Sequence, residues 1–218
     1  PKDFSCDRVV DKMQGVYIPF WLYSGNCEGS ITAEGINTRT WTSGNYRYTE
    51  KKYYSVYRNG TLDFKAVPVD ASSKTDDDAM DSIEPFDYSE MTAFNPGYLS
   101  GYLAERYDED KDKCLPRAKE RIENTTRDEL RNTCNYNSVN VQSYEKHTEI
   151  KDVKYAMLPT WLLYTTYQDK PYFFAMNGQT GKFIGNLPIS KGKLVAYSLL
   201  GGVGGYIIGA ILQIMGIF

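Results

Sequence analysis

The last 25 residues of the chain, Leu194 to Phe218, contain no charged side chain. About 20 apolar residues are enough for a helix to cross the hydrocarbon core of a membrane. The glycines and tyrosines among the aliphatic residues suit a membrane helix better than a soluble one. We therefore expect one C-terminal transmembrane helix within residues 191–218. The alternative is a buried core helix.

Two lysines lie directly before this apolar stretch. Lys191 and Lys193 favour an orientation in which the preceding residues are cytoplasmic, because positively charged flanks stay on that side of the membrane. This predicts a single-pass protein of the cell membrane with a cytoplasmic domain in residues 1–190. The opposite orientation would make Asn59 and Asn124 possible glycosylation acceptors.

Three glycines recur at every fourth position of the same stretch. Gly201, Gly205 and Gly209 would lie on one face of a helix, where a second helix could approach its backbone closely. This spacing predicts a homo-oligomer that forms through the glycine face. The alternative is that glycine is simply frequent in membrane helices.

The composition argues against several classes of function. The net charge is −3, so the chain as a whole does not attract nucleic acid, and we expect none to bind residues 1–218. His147 is the single histidine, which makes a nucleophile–base pair improbable. The four cysteines are far apart in sequence and form no zinc-binding pair; they are Cys6, Cys27, Cys114 and Cys134. We predict no enzyme activity, and no cofactor or metal site in this chain.

The segment "NGQTGK", Asn177 to Lys182, resembles part of a phosphate-binding loop. A loop of that kind needs a glycine five residues before the Gly-Lys pair and Ser or Thr after it, whereas Met176 and Phe183 occupy those positions. We therefore interpret the segment as a turn between two strands.

Two segments resemble each other, "YIPFWLY" at Tyr17 to Tyr23 and "MLPTWLLY" at Met157 to Tyr164. We interpret them as a duplication or as two equivalent strands of one core, with a proline that places the start of each strand at an edge. Trp21 is expected to anchor the core of the first part. Trp161 is expected to do the same in the second.

Turn signals divide these parts into antiparallel strands. In residues 15–70, the sequence Arg58 to Thr61 contains Asn-Gly and predicts the hairpin turn. In residues 139–190, turns are expected at Gln168 to Pro171 and at Asn177 to Gly181. Whether the two β parts form one sheet or two stays open.

Residues 76–134 lie between the β parts and have helical spacing of apolar residues, with Pro116 opening or kinking a helix. The fold class predicted is therefore α+β: two related antiparallel β parts that flank a helical insert, followed by the transmembrane helix. An acidic run opens the insert and is expected to cap a helix, or alternatively to bind a cation or a basic partner; it contains Asp76, Asp77, Asp78 and Asp81.

Long blocks of the chain resemble the membrane-anchored zinc-ribbon (TFIIB-type) proteins of Gram-positive bacteria, which are often labelled as replication-restart helicases. The blocks include "GVYIPFWLY", "YRYTEKKYYSVYRNGTLDFKAVPV" and "YAMLPTWLLYTTYQDKPYFFAMNGQTGKFIGNLP". The resemblance implies a zinc ribbon upstream of Pro1, so that zinc would belong to a missing N-terminal region. It also implies partner recruitment at the membrane during an envelope-stress response.

These observations favour a membrane-tethered, non-enzymatic adaptor that recruits protein partners to the cytoplasmic membrane face. Two alternatives remain. The first is a nucleic-acid-binding protein that acts through the upstream zinc ribbons. The second is an envelope sensor whose domain faces outward and binds an extracellular ligand.

Overall fold

A computed structural model describes residues 13–101, 103–167, 169–185 and 191–214, and one antiparallel sheet dominates them. The strands are β1 Gln14–Ser43, β2 Tyr46–Asp70, β3 Leu103–Ala104, β4 Ser138–Tyr167, β5 Lys170–Asn177 and β6 Phe183–Gly185. The sheet has the order β2-β1-β4-β5-β6, and the short β3 joins β1 in parallel. The two predicted β parts thus contribute to a single sheet.

Three helices occur in the described ranges: α1 Asp77–Ser82, α2 Lys111–Asn132 and α3 Lys191–Ile214. Short 3₁₀ turns lie at Tyr88–Glu90 and Pro96–Leu99. The Asp110 side chain caps α2 by accepting hydrogen bonds from the backbone N–H groups of Asp112 and Lys113. The buried face of α2 repeats every four residues, as expected for an amphipathic helix; it comprises Cys114, Ala118, Ile122, Thr126 and Leu130.

The first half of β1 is buried on both faces. Its even-numbered residues from Val16 to Leu22 pack with α1, against side chains such as Met80 and Ile83. On the opposite face, Tyr23 packs with α2. This two-sided burial makes the region around residues 16–23 the centre of the fold, and the apolar run that contains it reads as a central strand.

The two similar segments are neighbours in the centre of the sheet. Tyr17 pairs with Pro159, and Pro19 pairs with Met157. The expectation that each proline places a strand's start at an edge is wrong, because Pro19 lies inside β1 and Pro159 lies inside β4. β4 pairs with Pro19 on one side, and on the other side the pairing of β1 passes from β3 at Tyr17 to β2 at Phe20. An antiparallel ladder leaves alternate N–H groups pointing away from a given neighbour, so a proline can fit where its missing donor is not required.

The predicted turn at Arg58 to Thr61 is also wrong. Asn59 and Gly60 lie inside β2, where they pair with Ser30 and Gly29. The hairpin turns instead at Gly44, whose φ of +59° is a conformation that glycine adopts without strain. The Asn-Gly signal is local, and it is outweighed by the whole β1–β2 register of 23 residue pairs, of which Asn59 and Gly60 contribute two.

The two turns expected in the second half are close to those observed. β4 ends at Tyr167 and β5 begins at Lys170, although Gln168 lies outside the described residues. The Asn177 to Gly181 segment is a turn in which Gly181 donates a backbone hydrogen bond to Asn177 at 3.0 Å, and Gly181 has a φ of +71°.

The expectation of a C-terminal transmembrane helix is wrong by the criterion of length and hydropathy. Within the described ranges, no helix is long and apolar enough to cross a membrane. α3 covers much of the predicted stretch, but glycines and tyrosines such as Tyr197 and Tyr206 lower its hydropathy. Residues 186–190 and 215–218 lie outside the described part. The predicted α+β fold class, which included that helix, is replaced by a mostly antiparallel β sheet with three described helices.

Candidate functional site

A two-stranded arm extends from one end of the sheet. β1 pairs with β4 only as far as Ile36, whereas it pairs with β2 as far as Ser43. Residues 37–52, which we call the arm, are therefore a β1–β2 ribbon without a third strand. Its seven residue steps out to Gly44 span about 23 Å at the usual strand rise.

Aromatic side chains are exposed along the arm. Trp41 and Tyr48 pair across the strands, with ring centroids 5.7 Å apart and an angle of 15° between the ring planes. The Arg39 guanidinium lies 5.7 Å from the centre of the Trp41 ring. Tyr46, next to the turn, is 71% exposed. The cross-strand aromatic pair stabilises the ribbon, and both rings remain partly exposed to solvent.

Positive charge is concentrated in the arm. Four basic residues and one acidic residue within positions 37–52 amount to 4 − 1 = +3, in a chain whose net charge is −3. Arg47 and Lys51 make no ion pair with any residue that the structure describes. Lys52 lies 3.7 Å from Glu50, but both side chains are exposed, so that pair binds weakly.

Exposed aromatics continue along β2 below the arm. Tyr53 and Tyr57 are 59% and 61% exposed, and they lie on the sheet face opposite α2. Tyr54 packs against the ring of Tyr136 at the root of the arm. The abundance of tyrosine in this segment thus serves contact with solvent or with a partner more than it serves the core.

The acidic run predicted as a cap or a cation site contributes to an ion-pair network. Asp76 caps α1 by accepting a hydrogen bond from the Ala79 N–H at 2.9 Å. Asp77 and Asp81 both pair with Arg117 of α2. Asp78 is exposed on the first turn of α1.

The network reaches a buried carboxylate at the end of β2. Arg117 Nη1 donates to Asp70 Oδ1 at 2.9 Å, and the Thr75 hydroxyl donates to Asp70 Oδ2 at 2.7 Å. Burial raises the pKa of Asp70 to about 7, in opposition to Arg117 and Thr75. Burial also raises the pKa of Glu84, which Arg121 opposes.

These contacts tie α1, α2 and β2 together, which is a structural role. No group of three or more His, Cys, Asp or Glu side chains in the described ranges is arranged to hold a metal ion. Cys27, Cys114 and Cys134 are buried free thiols, and burial raises the pKa of Cys114 to about 11, which makes it a poor nucleophile. His147 is exposed on β4, and Cys6 lies outside the described residues.

The two predicted core anchors are half-buried. Trp21 donates from Nε1 to the Glu109 carbonyl at 2.9 Å, and its ring packs edge-on against Tyr107 and Tyr155. Trp161 packs against the cluster that contains Phe174.

The glycine stripe lies on α3. Gly201, Gly205 and Gly209 are exposed, and a Cβ built on any of them would meet nothing within 4 Å. α3 begins at Lys191, and Lys193 is exposed in its first turn. Several aliphatic and aromatic side chains of α3 are more than half exposed. This apolar surface is open to a partner.

An apolar groove of about 680 Å³ lies at the outer edge of β4. Met157 forms part of its floor, and Met91, Phe94 and Tyr98 from the loop after α1 form the opposite wall. This volume is within the range of ordinary ligand-binding clefts. The sequence held no signal for this groove, because a loop of irregular backbone forms one side of it.

The chain is similar to a protein from Bacillus subtilis (strain 168) named "Uncharacterized protein YdjG". The two are 38% identical over 198 residues, which are 90% of this chain and 58% of the relative. This chain therefore spans a little more than half of that relative's length. No model of a known protein family matches the sequence. No solved structure matches it either.

Proposed function

We propose that this protein is a non-enzymatic adaptor that binds protein partners through the arm. The observation that carries this proposal is the projection of residues 37–52 beyond β4, with Trp41 and Tyr46 exposed and Arg47 unpaired within the described part of the chain. Trp, Tyr and Arg are the residues that dominate binding energy at protein interfaces. In the described structure the ribbon is hydrogen-bonded to Asn137 at its base, through Asn37 and Thr38, and residues 38–52 are exposed. The exposed part is free to insert into a partner.

Charge indicates the kind of partner surface. The arm carries +3, so a partner with an acidic patch would gain a faster encounter and a defined register. The exposed backbone edges of the ribbon add hydrogen-bonding groups that a partner strand could pair with. Lys51 and Lys52 lie on the β2 edge and discourage pairing with partners that lack acidic side chains.

The adaptor would be multivalent if α3 pairs with α3 of a second copy. Gly201, Gly205 and Gly209 share one face of α3 with the exposed side chains of Leu194 and Tyr197, and an identical helix can cover that face. Two arms on one dimer would bind a multivalent partner much more tightly than one arm does.

Substitution of leucine for Gly205 is expected to shift a dimer to monomer in sedimentation velocity. An unchanged sedimentation coefficient would remove self-association from the proposal.

The resemblance to the membrane-anchored zinc-ribbon proteins suggests the cellular process in which the adaptor would act. In that setting the partners are components of an envelope-stress response. The adaptor as proposed requires neither zinc in this chain nor a membrane-spanning helix.

Site-specific photocrosslinking tests the adaptor role. A photoreactive phenylalanine derivative at Tyr46 is expected to crosslink to a small set of acidic proteins in cells, and the double charge reversal of Arg47 and Lys51 to Glu should abolish these crosslinks. The same derivative at Thr61, an exposed position of β2 outside the arm, is the matched control. Equal crosslinks from both positions, or crosslinks that survive the charge reversal, would contradict the proposal.

A second candidate is single-stranded nucleic acid, because stacked aromatic rings next to basic side chains also bind bases and phosphates. Trp41 fluorescence tests it directly. An oligothymidine that quenches the indole, with an affinity that falls as salt rises, would favour this candidate over the protein partner. No quenching by the oligonucleotide would leave the protein partner as the proposed ligand.

A further inference from the structure

The groove beside β4 occupies a vacant position in the sheet. β5 pairs with β4 from Tyr167 to Thr160 and ends at Asn177, where Gly178 still donates a hydrogen bond to the Pro159 carbonyl at 2.9 Å. The chain then turns back to form β6 on the far side of β5. Residues 155–158 of β4 consequently have no strand on their outer side among those the structure describes.

Residues 155–158 of β4 all line the groove, and their side chains alternate between the two faces of the sheet. Ala156 and Leu158 are also buried in the core that contains α1, whereas Tyr155 and Met157 lie on the opposite face of the sheet. A chain laid against this edge would present every second side chain to Met157 and to the loop opposite. Phe94 of that loop is 65% exposed, which is a high value for a phenylalanine.

Acidic side chains lie at the mouth of the groove. Glu90 belongs to the lining, is exposed, and forms no ion pair with the residues that the structure describes. Asp87, three residues earlier, is also exposed. The polar lining otherwise consists of neutral groups, such as Gln179, whose side chain bonds the backbone of Asp87. A ligand with a basic group would complement this mouth.

We propose that the groove binds an extended peptide, apolar at alternate positions and basic at one end, which adds to the sheet as a strand beside residues 155–158 of β4. The peptide takes the position next to β4 that β5 occupies up to Asn177. Backbone hydrogen bonds to β4 supply affinity, and contacts with Met157 and Phe94 select apolar side chains. Glu90 pairs with the basic end. This site is separate from the arm and does not depend on the adaptor role of the arm.

A designed peptide tests the proposal with the full chain. The probe is a fluorescent peptide in which valine and threonine alternate, with a lysine at each end so that either strand direction can reach Glu90. Anisotropy is expected to show saturable binding, and hydrogen exchange is expected to slow at the amides of Tyr155 and Met157. These N–H groups point to the open edge, on the same side as the Pro159 carbonyl that Gly178 binds. Absence of saturable binding, or binding without that protection, would overturn the proposal.

Two altered peptides separate backbone pairing from general hydrophobic adhesion. Proline in place of the central valine removes a backbone donor and should weaken binding about tenfold. Glutamate in place of both lysines should weaken it about threefold at low salt, as expected for an exposed ion pair. Equal affinity of the proline peptide would show that no strand forms.

Protein variants locate the bound peptide. Phe94→Ala should reduce affinity about tenfold, and its exposure means that the fold does not depend on it. Glu90→Gln should remove the preference for lysine over glutamate at the peptide ends. Tyr53→Ala, an exposed tyrosine of β2, is the matched control and should bind the peptide as the wild type does. Loss of binding in Tyr53→Ala and none in Phe94→Ala would place the peptide elsewhere and contradict the proposal.

Discussion

Arg121 holds the Glu84 carboxylate with two hydrogen bonds, from Nη1 to Oε1 at 3.0 Å and from Nη2 to Oε2 at 2.8 Å. Nη1 also donates to Asp81 at 3.0 Å and to the Pro68 carbonyl at the end of β2. One guanidinium of α2 thus joins the loop after α1 to the sheet. Both members of the Arg121–Glu84 pair are largely buried, so the loss of either one leaves a charge without its partner.

Arg121→Ala is expected to lower the free energy of unfolding by about 2–4 kcal/mol, because it leaves Glu84 buried without its counter-ion. Urea denaturation followed by tryptophan fluorescence measures the change.

Arg127→Ala is the matched control on the same helix. Arg127 pairs only with its neighbour Asp128 among the described residues, and both side chains are well exposed, so the change should stay within about 0.5 kcal/mol. Equal losses in the two variants would mean that the network does not stabilise the fold.

Asp70 is expected to make stability depend on pH. Its pKa is about 7 in the folded protein and about 3.9 in an unfolded chain, so the folded state binds more protons between these values. Its contribution to the free energy of unfolding is therefore fully present below pH about 4 and is lost as pH rises to about 7. The slope cannot exceed about 1.4 kcal/mol per pH unit for one proton.

Asp70→Asn should remove this slope, as measured by urea denaturation at intervals from pH 4 to pH 8. The comparison uses the slope of the unfolding free energy against pH and not its absolute value, because Asp70→Asn also changes the contact with Arg117. Asp63→Asn, an exposed position on the same strand, is the control and should retain the slope of the wild type. A wild-type slope that persists in Asp70→Asn would assign the titration to another group.

Gly25→Ala is expected to destabilise the fold by about 2–4 kcal/mol, because the new Cβ would collide with the Glu149 carbonyl oxygen in β4. Gly60→Ala provides a comparison in β2, since its Cβ would approach only Leu130, at 3.5 Å. That variant should change stability by less than about 1 kcal/mol. Thermal unfolding of both variants would show whether the close approach of β1 and β4 requires glycine.

Removal of the end of the arm should leave the fold intact. Residues 40–49 can be replaced by Asn-Gly, which closes a tight turn between the paired residues Arg39 and Glu50. The unfolding free energy should change by less than about 1 kcal/mol, because an isolated two-stranded ribbon adds little stability. Circular dichroism and urea denaturation measure this. A large loss of stability would show that the arm supports the fold and would weaken its assignment as a binding element.

The turn at Asn177 to Gly181 was predictable from sequence, and so was helical structure with Asp76 at its start. These features depend on residues close together in the chain: Gly181 adopts a positive φ, and the Asp76 carboxylate reaches the N–H group of Ala79. The amphipathic pattern of α2 was equally visible, although its length and its start at Lys111 were not. Single glycines, caps and short periodicities act within one or two turns of backbone.

The arm, the groove and the ion-pair network could not be predicted in this way. Asn59-Gly60 has the local signature of a turn, yet pairing with Ser30 and Gly29 keeps it within a strand. Arg117 and Asp70 are 47 positions apart and meet only because α2 crosses the sheet.

Sequence by itself determined where the chain is apolar and where its aromatic and basic residues concentrate, because those are properties of single residues and near neighbours. Tertiary structure alone decided that β4 stops pairing at Ile36 and leaves the arm free, and that β5 stops at Asn177 and leaves a strand position empty. Strand register is the physical reason, since it is set by the summed packing of many distant pairs and by no single residue.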